Sequence, residues 1–368
     1  MIFLASYPVA QVQWCCMRAF LLLTAVLCLS WGSFLGVQVY RGSHGSGIVY
    51  QYAEFPNLVG AKPSIKPKLS TAAFSPSGAF VAGASGPLIF LWKTKDNEPV
   101  HVLMRHAARV KTLRFSPKGR YLTSLSEDGD FRLWDLNKGE QVLIYQRLSA
   151  TALGRILDVA FSPDGSQVLA WTNQSELVFW ETLTGQETLS FFPFGARSPI
   201  KQGNAFYLSG GKHIFMSDLQ THAQVLDLAT RKLVFTPVFP DDMMLDQFSQ
   251  FQPAGPDGFL GMGMGKAVLW RLEPPESEPA HLPIETRQDV YLKAAAFQAP
   301  GWLALAGVGP QVQLRRRSQV KTIELPSKVA GESVLAVRAL PNEGRLHAIT
   351  ERHHISWNMR SDAAWLTP

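Results

Sequence analysis

The sequence predicts an all-β fold in which one four-stranded unit is repeated seven times, and three observations carry that expectation. The chain holds 29 Gly, 24 Pro and 10 Trp but only 17% charged residues, a balance that favours many short strands joined by turns. A phrase made of an apolar strand, a Pro-x-Gly turn and a second apolar strand recurs along it. A tryptophan, or a substitute for one, then falls at positions 92, 134, 180, 226, 270, 315 and 357, at intervals of 42 to 46 residues. No helical periodicity separates the strands, which disfavours an enzyme fold on a parallel sheet.

In chain order, residues 1–18 read as a tail. Residues 19–40, "AFLLLTAVLCLSWGSFLGVQVY", are 22 uncharged residues between Arg18 and Arg41. At about 1.5 Å per residue such a run, as a helix, crosses a hydrocarbon core of about 30 Å. A basic residue ahead of an apolar run also describes a secretory signal, and Met17 offers an alternative start. The segment is therefore expected to be an N-terminal hydrophobic helix, either signal peptide or transmembrane anchor. That places the body as membrane-anchored or exported, periplasmic or extracytoplasmic if the source is bacterial. A helix buried in the body, or a lipid anchor at Cys28, are weaker readings, since the run has no polar face and Leu27 stands where a small residue is wanted. Beyond Cys28 the chain has no cysteine, which excludes disulfides, Cys-ligated zinc and a thiol nucleophile from the body.

Residues 41–64 read as a linker, with strand composition at 47–55 ("GIVYQYAEF"). This strand is expected to close the repeat array by pairing beside the strand of Trp357; the tail "AAWLTP" is the alternative. Residues 65–368 hold the seven copies. "AAFSPSGAFVAGASG" leads to "LIFLW", "LRFSPKGRYLTSLSEDGD" to "FRLWDLNKGE", and "VAFSPDGSQVLAWTNQS" to "LVFW". Fainter copies keep Ser209-Gly210-Gly211 with Leu226-Asp227, Pro256-Asp257-Gly258 with Trp270, Pro300-Gly301 with Arg315, and Pro341 to Gly344 with Trp357. Pro presets φ near −65° and Gly accepts positive φ, so these turns have a mechanism. A period of about 40–45 residues with a Trp-Asp signature marks a β-propeller of four-stranded blades.

From residue 65 to 368 the sequence resembles the WD40-repeat family, and its best copy carries "FSPKG", "SEDGD" and "LWDLNKG". The resemblance implies seven blades. It also implies a buried polar network in the second blade, made of His106, Ser124, Asp128 and Trp134, with Ser126 as the alternative hydroxyl. A Ser, a His and an Asp together suggest a hydrolase triad as well, but no Gly-x-Ser-x-Gly turn accompanies them. In the other blades the place of Asp128 is taken by Gly86, Gln174, Gln220, Met264, Gly309 and Glu351, so six blades are expected to rely on apolar packing.

Loops of such propellers gather on one face, and the candidate partner-binding residues there are Arg105, Arg109, Glu127, Asn173, Gln174, Gln220, Met264, Glu351 and Arg352. A net charge of +6 over 368 residues is not the dense basic signature of a nucleic-acid binder. His353 and His354 are neighbours on a strand and point to opposite faces, so they do not share a metal. Arg315 to Arg317 read as a solvated blade corner. "GMGMG" (261–265) lacks the strand-to-helix context of a nucleotide loop. No metal, cofactor, nucleic acid or small-molecule substrate is expected. The expected function is a non-catalytic protein-interaction scaffold, exported or membrane-anchored. The alternatives are a propeller enzyme, quinoprotein-like dehydrogenase or lactonase-like hydrolase, and an assembly factor for membrane proteins.

Overall fold

The Phe-Ser-Pro-x-Gly phrase is a turn held by its own serine. The hydroxyl oxygens of Ser75, Ser116 and Ser162 each accept the backbone N–H five residues on, from Phe80, Tyr121 and Gln167, at 2.9–3.0 Å. Gly78, Gly119 and Gly165 sit at φ +74°, +74° and +78°, where a Cβ is strained. The polypeptide reverses there and the second strand returns beside the first.

The computed structural model describes residues 39–43, 49–54, 67–127, 129–145, 154–194, 199–239, 244–255, 258–263, 266–272, 281–285, 291–298, 302–309, 311–316, 319–340 and 344–359. These residues form seven antiparallel sheets arranged as the blades of a propeller. Within each blade the strands run a to d from the axis outward. Blade 2 is Val110–Phe115, Tyr121–Ser126, Phe131–Asp135 and Glu140–Ile144; blade 3 is Ile156–Phe161, Gln167–Thr172, Leu177–Glu181 and Glu187–Phe191. Blades 1, 4, 5 and 6 repeat the pattern from strands a at Thr71–Phe74, Asn204–Leu208, Phe248–Pro253 and Tyr291–Gln298.

Among the described residues the last blade has three strands from its own copy, Val334–Leu340, Arg345–Thr350 and His353–Asn358; the tail "AAWLTP" lies outside them. Two strands from far upstream complete it. β1 (Val39–Ser43) pairs with β2 (Val49–Glu54), and β2 pairs antiparallel with His353–Asn358, from Val49 opposite Asn358 to Glu54 opposite His353. The ring is thus closed by a strand that precedes the first repeat, which covers the edge that the seventh blade would otherwise expose.

Two expectations are corrected here. Val39 and Tyr40, the last residues of the segment expected to be helical, are extended and belong to β1; residues 19–38 lie outside the described residues. The localisation drawn from that segment, membrane-anchored or exported, is overturned: no helix among the described residues is long and apolar enough to cross a membrane.

The seven landmark positions share one place in the register. Trp92, Trp134, Trp180, Leu226, Trp270, Arg315 and Trp357 pair across strand b with Val81, Leu122, Val168, Ile214, Phe259, Leu303 and Leu346. All but Arg315 are buried, and removing a large side chain of this kind from water stabilises by roughly 1.5–3 kcal/mol. The largest core cluster joins blades 3, 4 and 5. In it Phe215 and Phe259 rings lie 4.4 Å apart, with Phe259 stacked on Trp270 at 5.3 Å. Gly261 and Gly263 of "GMGMG" serve this packing. A Cβ at Gly261 would stand 2.7 Å from the Phe251 ring, and one at Gly263 only 2.2 Å from the Gln247 carbonyl oxygen.

Candidate functional site: loop face, blade 2 network and axial channel

Blade 2 holds its tryptophan by hydrogen bonding. Trp134 Nε1–H donates to Ser124 Oγ at 2.8 Å, and His106 Nε2 lies 2.6 Å from the same oxygen. All three are buried. Asp128 lies outside the described residues. Ser126 is buried as well, but it is Ser124 that contacts the indole. The sequence shows why this blade has a hydroxyl for its indole. Two residues after the landmark's strand b partner stand Gly83, Ser124, Ala170, Met216, Gly261, Leu305 and Ala348, and only one carries a hydroxyl. In blade 1 the space is filled from above: Leu69 packs with Phe90 and Trp92, and a Cβ on Gly83 would stand 2.7 Å from Leu69. In blade 5 the Trp270 indole donates instead to Val238 O at 2.9 Å. The indole N–H groups of Trp180 and Trp357 are buried with no acceptor among the described residues.

The b–c turns and d–a loops are stitched into one face by backbone hydrogen bonds. Within a blade, Glu127 N–H donates to Arg109 O and Asn173 N–H to Arg155 O. Between blades, Val110 N–H reaches Gly86 O, Ile200 N–H reaches Asn173 O, and Leu69 N–H reaches Glu351 O. The loops entering blades 1, 2 and 4 are therefore fixed to the b–c turn of the blade before them. Several expected partner-binding residues meet on this face. Arg109 and Glu127 form an exposed ion pair at 3.8 Å, and Glu351 pairs with Lys68 at 3.1 Å. Asn173 and Gln174 are half-buried, whereas Arg105, Gln220 and Arg352 are exposed. Met264 lies outside the described residues.

The turn carrying Gln220 is the most tightly organised. Asp218 accepts the backbone N–H groups of Gln220, Thr221 and His222 at 2.7–2.9 Å, together with the Thr221 hydroxyl and His222 Nδ1. Burial pushes its carboxyl up, but these hydrogen bonds outweigh burial and hold it at about 2. The adjacent histidines of blade 7 diverge, as alternation on a strand requires. His353 Nδ1 lies 2.9 Å from Glu332 Oε1, while His354 Nε2 lies 2.9 Å from His347 Nδ1 and its own Nδ1 bonds Asn97 Oδ1.

Sequence reading missed the axis. The strands a line a cavity of about 820 Å³ that contains Lys111, Arg114, Asp158, Lys293 and Arg338. Asp158 takes an ion pair from Arg114 at 3.6 Å and a hydrogen bond from Asn204 Nδ2 at 3.2 Å. Lys111 Nζ donates to Ile156 O at 3.2 Å, and Arg338 donates to Pro76 O. The available signal was the polar residue at matching places of strands a, as in "VKTLRF" and "VLAVRAL".

The family described as "WD domain, G-beta repeat" matches residues 97–135, which run from strand d of blade 1 through strand c of blade 2. Periodic tryptophan protein 2 of Arabidopsis thaliana is 35% identical over 97 residues, 26% of this chain and 10% of that protein. The guanine nucleotide-binding protein subunit beta of the same plant is 30% identical over 112 residues, 30% of each chain. A WD repeat-containing protein of Deinococcus radiodurans is 33% identical over 79 residues, 21% of this chain and 28% of that one. The matched segment spans less than a third of each of these relatives.

Proposed function

Because the chain belongs to the WD40-repeat proteins, with degenerate repeats and one intact Trp-Asp blade, we propose that it is a non-catalytic scaffold that docks a protein partner on its loop face. The observation that carries this reading is the stitching of b–c turns to d–a loops across successive blades. A loop surface anchored by backbone hydrogen bonds loses little conformational freedom when a partner binds, so more of the contact energy reaches affinity. The exposed groups there mix guanidinium, carboxylate and amide, as the polar rim of a protein interface does. We assign the role to the body spanning 65–368 together with the closing strand within 47–55.

Residues Arg105, Arg109, Glu127, Gln220 and Arg352 form the contact set in this proposal. The test is crosslinking of the full chain in its native extract, followed by the same experiment on R109E/R352E and on K232E, a rim change on strand d of blade 4. The scaffold reading expects one protein to crosslink to the wild type and to K232E but not to R109E/R352E. Equal crosslinking by all three would overturn the assigned face. Turnover of a substrate by the purified chain would overturn the non-catalytic role.

A further inference from the structure

The charge around the axis is unevenly distributed. Lys111 and Arg114 belong to blade 2, Lys293 to blade 6 and Arg338 to blade 7, so four cations fall in the sector running from blade 6 through blades 7 and 1 to blade 2. Blades 3 to 5 contribute Asp158, Asn204, Gln250 and Gln252. Asp158 is the one carboxylate among the described residues lining the cavity, and Arg114, Asn204 and the Ala205 N–H already engage it. The amides are committed too: Gln250 Nε2 donates to Lys293 O at 2.7 Å, and Asn204 Oδ1 accepts Phe251 N–H at 2.9 Å. Asp158 is thus shared between Arg114 and Lys111, and Lys293 and Arg338 have no carboxylate partner in the lining.

Their placement is built. Lys111 and Lys293 each occupy the β-bulge near the start of a strand a, between Val110 and Thr112 and between Leu292 and Ala294. Arg114 and Arg338 occupy equivalent places near the other end, one residue before the partners of Leu122 and Leu346. Two tiers of cation are thus stacked along one sector of the channel. Lys111 Nζ spends one of its three donors on Ile156 O at 3.2 Å, and Arg338 Nε–H is buried with no acceptor among the described residues. Like charges held in a confined, partly desolvated space are costly unless an anion compensates them. Burial pushes both Lys111 and Arg338 down from their ordinary values; at Lys111, Arg155 adds to the effect, while Asp158 and Glu127 oppose it.

We propose that the axial channel binds a small multivalent anion, a phosphorylated metabolite carrying at least two phosphate groups, held by Lys111, Arg114, Lys293 and Arg338. Phosphate suits this set better than a lone carboxylate. Guanidinium groups match its oxygens in pairs, and ammonium groups supply point charges around it. The two tiers ask for charge at two heights, which a single monovalent anion lacks. A cavity of about 820 Å³ accommodates such a molecule within the usual range of small-ligand sites, roughly 300–1,000 Å³. The ligand would be bound and not transformed, and the site is independent of which protein docks on the loop face.

The test is titration calorimetry of the full chain with inorganic tripolyphosphate, at low and at high ionic strength. The expected result is one-to-one binding that weakens with salt. K293Q alters an exposed side chain, and should weaken binding about tenfold for one lost charge contact. K111Q/K293Q should weaken it further, and the rim variant K232Q should bind as the wild type does. Circular dichroism of each variant separates loss of the site from loss of the fold. Absence of one-to-one binding at low ionic strength overturns the proposal, as does unchanged affinity in a folded K111Q/K293Q. A hexaglutamate peptide that binds more tightly than tripolyphosphate would overturn it in favour of an acidic protein segment.

Discussion

Trp134 donates its indole N–H to Ser124 Oγ at 2.8 Å, and no other blade has a hydroxyl at the place of Ser124. Blade 2 therefore fixes its landmark by direction as well as by packing. Ser124→Ala leaves a buried indole N–H and His106 Nε2 without their shared partner, and should cost about 1–3 kcal/mol. Urea unfolding of S124A against wild type measures it. A change below about 0.5 kcal/mol, the scatter of ordinary surface substitutions, would show that the network contributes nothing beyond packing.

The Gln220 turn depends on one carboxylate. Asp218→Asn removes the charge that accepts three backbone N–H groups, and charge-assisted bonds of this kind are worth roughly twice neutral ones. D218N should lose on the order of 2 kcal/mol at neutral pH. The pH dependence follows from a carboxyl held at about 2 in the fold, against about 3.9 when unfolded. Its stabilisation is complete above the unfolded value and is lost as pH falls towards 2. Stability curves of the two proteins should accordingly converge in acid; parallel curves would refute the assignment.

His347 and His354 face one another at 2.9 Å inside blade 7, with Asn97 on the far nitrogen of His354 and the Phe74 ring edge-on to both. Burial lowers both, His354 to about 4, and the nearby Arg345 adds to the effect. Both are neutral in the fold, whereas in the unfolded chain they titrate near 6.5. Their contribution is therefore whole above about pH 6.5 and drains away between there and about 4. The loss should be on the order of 2–3 kcal/mol for His354 alone. Measuring unfolding between pH 7.5 and 5 in wild type and H347L/H354L tests this, since the variant should show the shallower dependence.

Gly263→Ala places a methyl group 2.2 Å from the Gln247 carbonyl oxygen, a backbone atom that cannot rotate away. Overpacking of this kind costs typically 1–3 kcal/mol. Thermal unfolding should show a clear fall for G263A, whereas Gly86→Ser meets no neighbouring atom and is strained only by its φ of +57°. Equal melting of G263A and wild type would mean that blade 5 has room its geometry denies.

Deleting residues 44–56 removes β2 and uncovers the edge His353–Asn358. An exposed edge of this sort invites pairing between molecules. The truncated chain should unfold at lower denaturant and elute in part as oligomers on size-exclusion chromatography. A monomer of unchanged stability would show that the ring does not need this strand.

The repeat was legible because most copies leave two local marks: a turn glycine, at positive φ in Gly78, Gly119, Gly165 and Gly344, and a large apolar residue opposite an apolar partner, with Arg315 as the exception. Trp92 and Trp357 stand far apart in sequence yet share one register position, so even the faint copies hold phase. The serine of Phe-Ser-Pro-x-Gly was legible as a turn, although its hydroxyl bond to the residue five further on was not. The channel was illegible because of bulges in its strands. Five of the strands a carry a register shift near their start, and a bulge changes which residue faces inward. Simple alternation therefore could not place Lys111 or Lys293. The end of the apolar run shows a similar limit: a hydropathy window does not distinguish an extended apolar segment from a helical one, and its last two residues, Val39 and Tyr40, lie in a strand.

The hairpin of β1 and β2 also decides how the ring would bear tension. Val49 lies opposite Asn358, so a pull between those two residues alone would peel the seam open one pair at a time. β1 turns the chain back, and its first residue, Val39, lies opposite Ala53, which in turn faces His354. Tension between Val39 and Asn358 is therefore applied at opposite ends of the sheet. The ladder is loaded in shear, with its rungs sharing the force. A short upstream hairpin converts a zipper into a lap joint.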